Sequence, residues 1–179
     1  MERAASGREG GRGAGAYEFV VDAMLGDLAK WLRILGRSTF YSPTARDEYL
    51  VEVAREHGAV LVTKDRGLWE RASRTGVEVV YLGRAGLEEA LRLLNTRYGV
   101  RLEVDLSDTR CPLCNGRLRI AERGEVEGKV PPGVAERYST FLVCESCGHV
   151  YWPGSHFRRM REFLRRVRRG ADHPGMLQR

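Results

Sequence analysis

The spacing of apolar residues alternates between strand-like and helix-like segments from Tyr17 onwards. Short runs rich in β-branched and aromatic residues predict four strands, at 17–22, 38–41, 59–63 and 77–82. Apolar residues at helical spacing predict four helices, at 24–35, 47–57, 65–74 and 87–98. A glycine follows each helix within two residues, as is typical of helix ends. Four strand–helix units with short connections predict an α/β fold, in which a parallel sheet is covered by helices on both faces.

The two ends of the chain differ from this pattern. Residues 1–16 are rich in glycine and nearly lack large apolar side chains, so we expect a disordered leader. The glycine- and proline-rich stretch 124–133 predicts an exposed hairpin loop, and apolar residues at helical spacing predict an amphipathic helix over 158–169. We therefore divide the chain into a leader (1–16), an α/β domain (17–106), a cysteine-bearing module (107–157) and a basic C-terminal helix and tail (158–179).

Two C-x-x-C pairs form the most specific chemical motif in the chain: Cys111, Cys114, Cys144 and Cys147. The pairs are 29 residues apart and are followed by Gly116 and Gly148, which suit the tight turns of zinc knuckles. Disulfides within each pair are the alternative, but no apolar signal-peptide core indicates an oxidising compartment. Haem attachment would need histidine where Gly148 stands. We expect a zinc ribbon with a structural Zn²⁺, because four thiolates leave no open coordination position.

Arginine dominates the basic residues, since 27 Arg and 3 Lys stand against 24 acids and give a net charge of +6. This excess favours a polyanionic partner, because guanidinium groups pair bidentately with phosphates and stack on bases. Residues 158–169 hold seven arginines and one acid, so we expect Arg158, Arg159 and the rest of this basic face to contact phosphates. We expect the apolar stripe of this helix to dock on the body and leave the basic face free. The alternative is that the docked helix is merely solvated on that face. No apolar run approaches the ~20 residues of a membrane span, and we expect a cytoplasmic protein.

Aspartates stand at the C-terminal ends of the predicted strands, where ligands of parallel sheets bind. Asp22 closes the first strand, Asp47 opens the helix after the second, and Asp65 follows the third. Carboxylate oxygens are preferred ligands of Mg²⁺ and Mn²⁺, and paired ions of this kind support phosphodiester hydrolysis. Thr63 either holds a water on the metal or orients a carboxylate.

Basic residues flank this acidic edge, and its acids also have a structural explanation. Lys64 and Arg66 adjoin Asp65 and are placed to contact a phosphate. Helix N-capping would account for Asp47 and Asp65 without any metal. It does not account for Asp22, which follows an apolar strand and would be costly to bury unpaired.

The sequence resembles the Mut-seven C-terminal RNase family, in which a PIN-like nuclease domain precedes a zinc ribbon. The resemblance covers roughly residues 17–165 and rests on five features in order: Phe19–Gly36, Asp47, Leu61–Leu68, the two cysteine pairs, and Val150–His156. It implies a PIN-like fold and metal-dependent ribonuclease activity. The three aspartates match the family's acidic positions and the cysteines its ribbon positions.

Two positions depart from the family pattern. Lys64 stands where the family usually has arginine, and the fourth acid common in PIN nucleases has only Glu48 and Glu70 as nearby candidates. After the second cysteine pair, His156 either contacts RNA or makes a structural hydrogen bond to the ribbon backbone. Tyr151 and Trp152 either stack on bases or pack the ribbon against the first domain.

Three hypotheses for the function follow. The leading one is a cytoplasmic endoribonuclease whose acidic pocket binds Mg²⁺ or Mn²⁺ while the ribbon and the basic helix grip RNA. The second is a non-catalytic module that binds RNA or a ribonucleoprotein, and the third is an interaction protein whose basic helix binds an acidic protein. The aspartate set favours the enzyme. PIN-like domains often pair, so the resemblance allows a homodimer.

Overall fold

The computed structural model describes residues 16–171, so the predicted leader before Ala16 and the tail beyond residue 171 lie outside the described residues. The first half contains all of the predicted elements: strands β1 (Phe19–Val21), β2 (Thr39–Tyr41), β3 (Val60–Thr63) and β4 (Val79–Tyr81), and helices α1 (Gly26–Ile34), α2 (Asp47–His57), α3 (Arg66–Ser73) and α4 (Leu87–Tyr98). A 3₁₀ turn at Ala23–Leu25 precedes α1. No helix within the described range is long and apolar enough to cross a membrane.

The four strands form a parallel sheet in the order β2-β1-β3-β4. Val21 pairs with Tyr41 on one side and Val62 on the other, so β1 is a central strand whose end is flanked by the ends of β2 and β3. The residues that leave these three strands therefore meet at one edge of the sheet. Asp22, Asp47 and Asp65 were predicted to lie at this edge.

Helices cover both faces of the sheet, as predicted. One apolar core lies between the sheet and helices α1 and α4, and includes Leu32, Val62 and Leu91. The other lies between the sheet and helices α2 and α3, and includes Leu50 and Leu68. Neighbouring strand residues enter opposite cores because side chains alternate across a strand, which explains why the strands are apolar on both faces.

The cysteine-bearing module is an antiparallel sheet of β5 (Leu118–Ala121), β6 (Phe141–Cys144) and β7 (Val150–Tyr151), in that order. The stretch 124–133 lies, as predicted, in a mostly exposed connection between two antiparallel strands, but it is not a plain loop. Two short helices, α5 (Arg123–Val126) and α6 (Pro132–Arg137), occupy the connection from β5 to β6. Val126, Val130 and Ala135 bury against Phe141, so apolar residues scattered among the glycines and prolines give this segment a small core.

The C-terminal helix, α7 (Ser155–Ala171), returns from the ribbon to the α/β domain. It begins three residues before the predicted start, and its apolar stripe docks as expected. Leu164 and Val167 are buried in the core that α1 and α4 share, and the Phe163 ring stacks on Trp31 with centroids 4.8 Å apart. The last helix in the chain is thus part of the first domain's core, with its arginines on the exposed side.

Leu164→Ala should lower the free energy of unfolding by about 2–5 kcal/mol, because the side chain is 2% exposed and its loss leaves a cavity beside α4. Arg165→Ala, at the adjacent exposed position, is the matched control and should change stability by less than about 0.5 kcal/mol. Urea unfolding of both variants measures the difference. Equal effects would contradict the docking of α7.

Candidate metal centre and acidic sheet edge

The four cysteine sulfurs converge on one point. All four Sγ atoms lie within 4.8 Å of one another, with 3.7 Å between Cys111 and Cys147 and 3.4 Å between Cys114 and Cys144. Bonds of ~2.3 Å to a tetrahedral Zn²⁺ separate its sulfurs by about 3.8 Å, so the cluster fits this ion. The cysteines are free thiols and their closest approaches join one knuckle to the other, which argues against disulfides within the C-x-x-C pairs.

The two knuckles make their turns with different residues. Gly148 has a φ of 73°, as expected, but in the first knuckle the left-handed residue is Asn115, with a φ of 67°. Gly116 is needed there for space, because a Cβ at this position would lie 2.5 Å from Ser146 Oγ and 2.9 Å from Cys144 Sγ. Both knuckles therefore fold tightly under the metal position. The second knuckle needs the backbone freedom of Gly148, and the first needs Gly116 because there is no room for a side chain.

Protons compete with a metal ion for the sulfur cluster. Burial raises the pKa of the Cys114 thiol and of the Cys147 thiol, so zinc binding has to displace protons from them. The Tyr151 hydroxyl lies 3.1 Å from Cys111 Sγ. Burial, together with this contact, raises the pKa of Tyr151, so the hydroxyl stays neutral and can donate to a metal-bound thiolate. Tyr151 thus supports the zinc site rather than offering a free polar group to RNA.

Arg33, near the end of α1, ties the first knuckle to the α/β domain. Its guanidinium is buried and donates from Nε and Nη2 to the Thr39 carbonyl, at 3.1 and 3.0 Å. Its Nη1 donates to the carbonyls of Pro112 and Leu113, at 3.0 and 3.1 Å, which lie between the first two zinc ligands. Burial lowers the pKa of Arg33, an effect that the nearby sulfurs of Cys111 and Cys114 oppose.

Asn115 makes a second connection beside Arg33. Its Oδ1 accepts from the Thr39 amide at 2.8 Å, and its Nδ2 donates to Ser38 Oγ at 3.2 Å. The ribbon thereby satisfies backbone groups where the edge strand β2 begins. The metal centre docks at the N-terminal edge of the parallel sheet, whereas the aspartates belong to its C-terminal edge.

At that C-terminal edge, Thr63 joins two of the three aspartates. Its hydroxyl donates to Asp22 Oδ2 at 2.7 Å and accepts from the Asp65 amide at 2.8 Å. Of the two roles predicted for Thr63, the structure has the one that orients a carboxylate. Asp65 is also the N-cap of α3, since its Oδ1 accepts from the Leu68 amide at 2.8 Å. Asp22 is only 8% exposed, whereas Asp65 lies on the surface.

The third aspartate, Asp47, is engaged in an ion pair. It is the first residue of α2, whose N-cap is Arg46, so the capping explanation is wrong for this aspartate. Its carboxylate instead pairs with Arg71 of α3. A Cβ at Gly67 would lie 3.3 Å from Arg71 Nη1 and 3.1 Å from Asp65 Oδ1, so this guanidinium reaches close to both outer aspartates. The acidic edge already attracts one cation from the protein itself.

Within residues 16–171 only the cysteine cluster brings together three or more potential metal-ligating His, Cys, Asp or Glu side chains. Asp22, Asp47 and Asp65 do not meet as a set. The two fourth-acid candidates add little, because Glu48 is exposed and Glu70 pairs with Arg66 at 2.9 Å.

The predicted RNA contacts occupy two separate regions. Lys64 lines a cleft of about 330 Å³ at the C-terminal edge, which also contains Lys30 and the first residue of α4. His156, Arg158 and Arg159 are exposed on the first turns of α7, near the ribbon. No described residue hydrogen-bonds the His156 imidazole, so the structural hydrogen bond considered for it is not formed in this part of the chain.

Fold and site together define a two-part protein: an α/β domain with an acidic C-terminal sheet edge, fused to a four-cysteine ribbon. The chain belongs to the Mut7-C RNAse domain family, whose model matches residues 17–164. This match confirms the resemblance that the sequence motifs indicated and spans both parts and the first half of α7. No curated protein and no solved structure matches the chain.

Arg33→Met should lower the free energy of unfolding by about 3 kcal/mol or more, because it leaves the buried Thr39 carbonyl and the partly buried carbonyls of Pro112 and Leu113 without their donors. Lys30→Met changes an exposed position on the same helix and should be nearly neutral. Chemical denaturation gives the stability, and zinc release to a chelator should be faster only in the Arg33 variant. A stable variant with unchanged zinc release would refute the connection.

Cys144→Ser should remove stoichiometric zinc, because three thiolates hold the ion far more weakly than four. Ser146→Ala, in the same knuckle but outside the sulfur cluster, should retain it. Elemental analysis measures the zinc, and hydrogen exchange at the Thr39 amide reports whether Asn115 remains docked. Full zinc content in the cysteine variant would contradict the four-thiolate assignment.

Proposed function

We propose that this protein is a metal-dependent endoribonuclease that hydrolyses RNA at the C-terminal edge of its parallel sheet. The observation that carries the proposal is the hydrogen-bonded series Asp22–Thr63–Asp65 at the ends of adjacent strands, in which Thr63 holds the Asp22 carboxylate and the Asp65 amide. The Leu68 amide holds the Asp65 carboxylate in turn. Membership of an RNAse domain family supports the same substrate class. The ribbon zinc is structural in this proposal.

Asp22 has the character of a cation ligand. It is buried, yet no Lys, Arg or His of the described chain forms an ion pair with it. Thr63 holds its Oδ2, while its Oδ1 keeps contact with solvent, since no buried side-chain oxygen among the described residues lacks a partner. A buried carboxylate without a cation is costly, and a divalent ion would relieve that cost.

Asp22, Asp47 and Asp65 would hold Mg²⁺ or Mn²⁺ in the proposed site. Such an ion, when bound, activates a water and neutralises charge on the phosphodiester. Thr63 keeps the Asp22 carboxylate in one orientation, so this ligand is set before RNA arrives. Arg71 engages Oδ2 of Asp47, and an ion that took this oxygen would free the guanidinium to pair with a phosphate oxygen.

Basic side chains would guide RNA to this edge. Lys64 lies in the cleft beside the strand ends, and Arg66 is exposed on the first turn of α3. Arg158 and Arg159, on the first turns of α7, lie near the ribbon, which docks at the other edge of the sheet. Helix α1 runs between the two edges and is roughly 14 Å long. An RNA strand that touches both regions would therefore lie along the side of the molecule.

The rival proposal is a module that binds RNA without cutting it. The observation in its favour is that Asp47 pairs with Arg71, so the acids do not form a ready-made cluster. An acidic protein as the partner of α7 is the third possibility. We propose a cytoplasmic location, because a reducing compartment favours a zinc–thiolate site over disulfides. The homodimer stays a prediction.

Cleavage of labelled single-stranded RNA by zinc-loaded protein should require added Mg²⁺ or Mn²⁺, and Asp22→Asn should reduce the rate by about 100-fold or more, as expected for loss of a charged metal ligand. Glu52→Gln is the matched control and should leave the rate unchanged, since Glu52 is an exposed acid in the middle of α2 and lies outside the cleft.

The outcomes separate the hypotheses. Cleavage that is equal in wild type and Asp22→Asn would come from a contaminant and contradict the proposal. Salt-dependent RNA binding without cleavage, unaffected by loss of all three aspartates, would favour the binding module. Binding of acidic protein but not RNA would favour the third hypothesis.

A further inference from the structure

A second cavity, separate from the acidic edge, lies where the ribbon meets the start of α7. Its volume is about 390 Å³, within the range of pockets that hold small organic groups. Strand β7 and the segment Trp152–Phe157 form one side, and the linker around Val104 and Leu106 forms another. The cavity is thus built by three parts of the chain that the ribbon docking brings together.

The walls of this cavity are apolar and aromatic, with a few polar groups at the opening. Trp152, Phe157 and Met160 line it and are only partly covered. Gly154 maintains the shape of the cavity, because a Cβ at this position would lie 3.1 Å from the indole Nε1 of Trp152. An apolar and aromatic lining with a few convergent polar groups is typical of small-ligand pockets, and an aromatic wall favours a planar ligand that can stack on it.

The polar groups at the opening are available to a ligand. His149, Ser155 and His156 line the cavity and are exposed, and no described residue hydrogen-bonds their side chains or the Trp152 indole N–H. These groups include both donors and acceptors. They match the edge of a nucleobase, which presents donors and acceptors around a flat apolar face.

The charge around the cavity indicates what kind of molecule carries that flat group. No acid is among the lining residues, and Arg110 and the two histidines are their only ionisable bases. Phe157 and Met160 share the helix α7 with exposed Arg158, Arg159 and Arg161. An apolar pocket framed by arginines is complementary to a base on a phosphate backbone.

We propose that this cavity binds one unpaired base of a single-stranded RNA, stacked against Trp152, while the α7 arginines hold the flanking phosphates. The inference rests on the proposed RNA substrate and extends it to single-stranded RNA with an accessible base. Because the cavity lies toward the ribbon edge and the aspartates at the opposite edge, the bound base would be displaced along the strand from the cleavage site.

Binding of two labelled 10-mers to the zinc-loaded full chain, without added Mg²⁺ or Mn²⁺, tests the proposal. One is a uridine and adenosine RNA, and the other is an abasic ribose-phosphate strand of equal charge. Anisotropy titrations at several salt concentrations should show about tenfold tighter binding of the base-bearing strand, with similar salt slopes for both. This comparison uses the wild-type protein, so it does not depend on any variant folding.

Trp152→Ala then locates the effect. It should reduce the affinity for the base-bearing strand to that for the abasic strand, while Ile120→Ala, an exposed ribbon residue outside the cavity, should keep the tenfold difference. Zinc content and circular dichroism confirm that each variant is folded, and His156→Ala provides a second, exposed position in the cavity wall.

Each other outcome overturns the proposal in a recognisable way. Equal binding of both strands would refute the base pocket and leave the proposed RNA substrate intact. Failure of both strands to bind would refute the proposed RNA substrate as well. Trp152-dependent binding of an acidic peptide with an aromatic residue, in preference to RNA, would assign the cavity to a protein partner.

Discussion

The buried guanidinium of Arg33 joins the two parts of this protein, and most of the arrangement depends on it. Burying an arginine without a carboxylate partner is costly, and here carbonyl oxygens compensate from both sides, Thr39 in the α/β domain and Pro112 and Leu113 in the first knuckle. The negative charge of a zinc–thiolate site close by favours the charged guanidinium and opposes the effect of burial on its pKa. The knuckle carbonyls point at Arg33 only while the knuckle keeps its fold. Zinc binding and the integrity of the α1–β2 corner are therefore coupled.

This docking explains why α7 can serve both parts. The chain leaves the ribbon at the N-terminal edge of the sheet, and α7 returns along α1 and α4, where Leu164 and Val167 complete the larger core. A ribbon of three short strands has little apolar core of its own, so its stability depends on the metal, on the cluster around Phe141, and on this attachment. The aromatic cavity is a product of the same arrangement, because its walls come from the ribbon, the linker and α7.

The residues of the acidic edge are held in two different ways. Asp22, Thr63 and Asp65 are fixed by hydrogen bonds from adjacent strands, while Asp47 is engaged by Arg71. A protein cation held among acids reduces their mutual repulsion when no metal is present. In the proposed nuclease, a divalent ion that took Oδ2 of Asp47 would displace this guanidinium and release an arginine toward RNA.

The sequence by itself determined the α/β order, the strands and helices of the first half, the four-cysteine cluster and the position of Asp22 and Asp65 at neighbouring strand ends. The periodicity of apolar residues, the spacing of the cysteines and the residues at strand ends are all local properties of the chain. The docked stripe of α7 was also predictable from its helical spacing. Only the tertiary structure decided that Arg33 and Asn115 attach the ribbon, that Arg71 pairs with Asp47, and that two short helices with a small core form in the connection from β5 to β6. Arg33, a charged residue on a mostly buried helix, signals a need for polar partners, but its acceptors in the ribbon are 79 and 80 residues away in the chain. Contacts between residues so far apart depend on how whole elements pack, which no local pattern records.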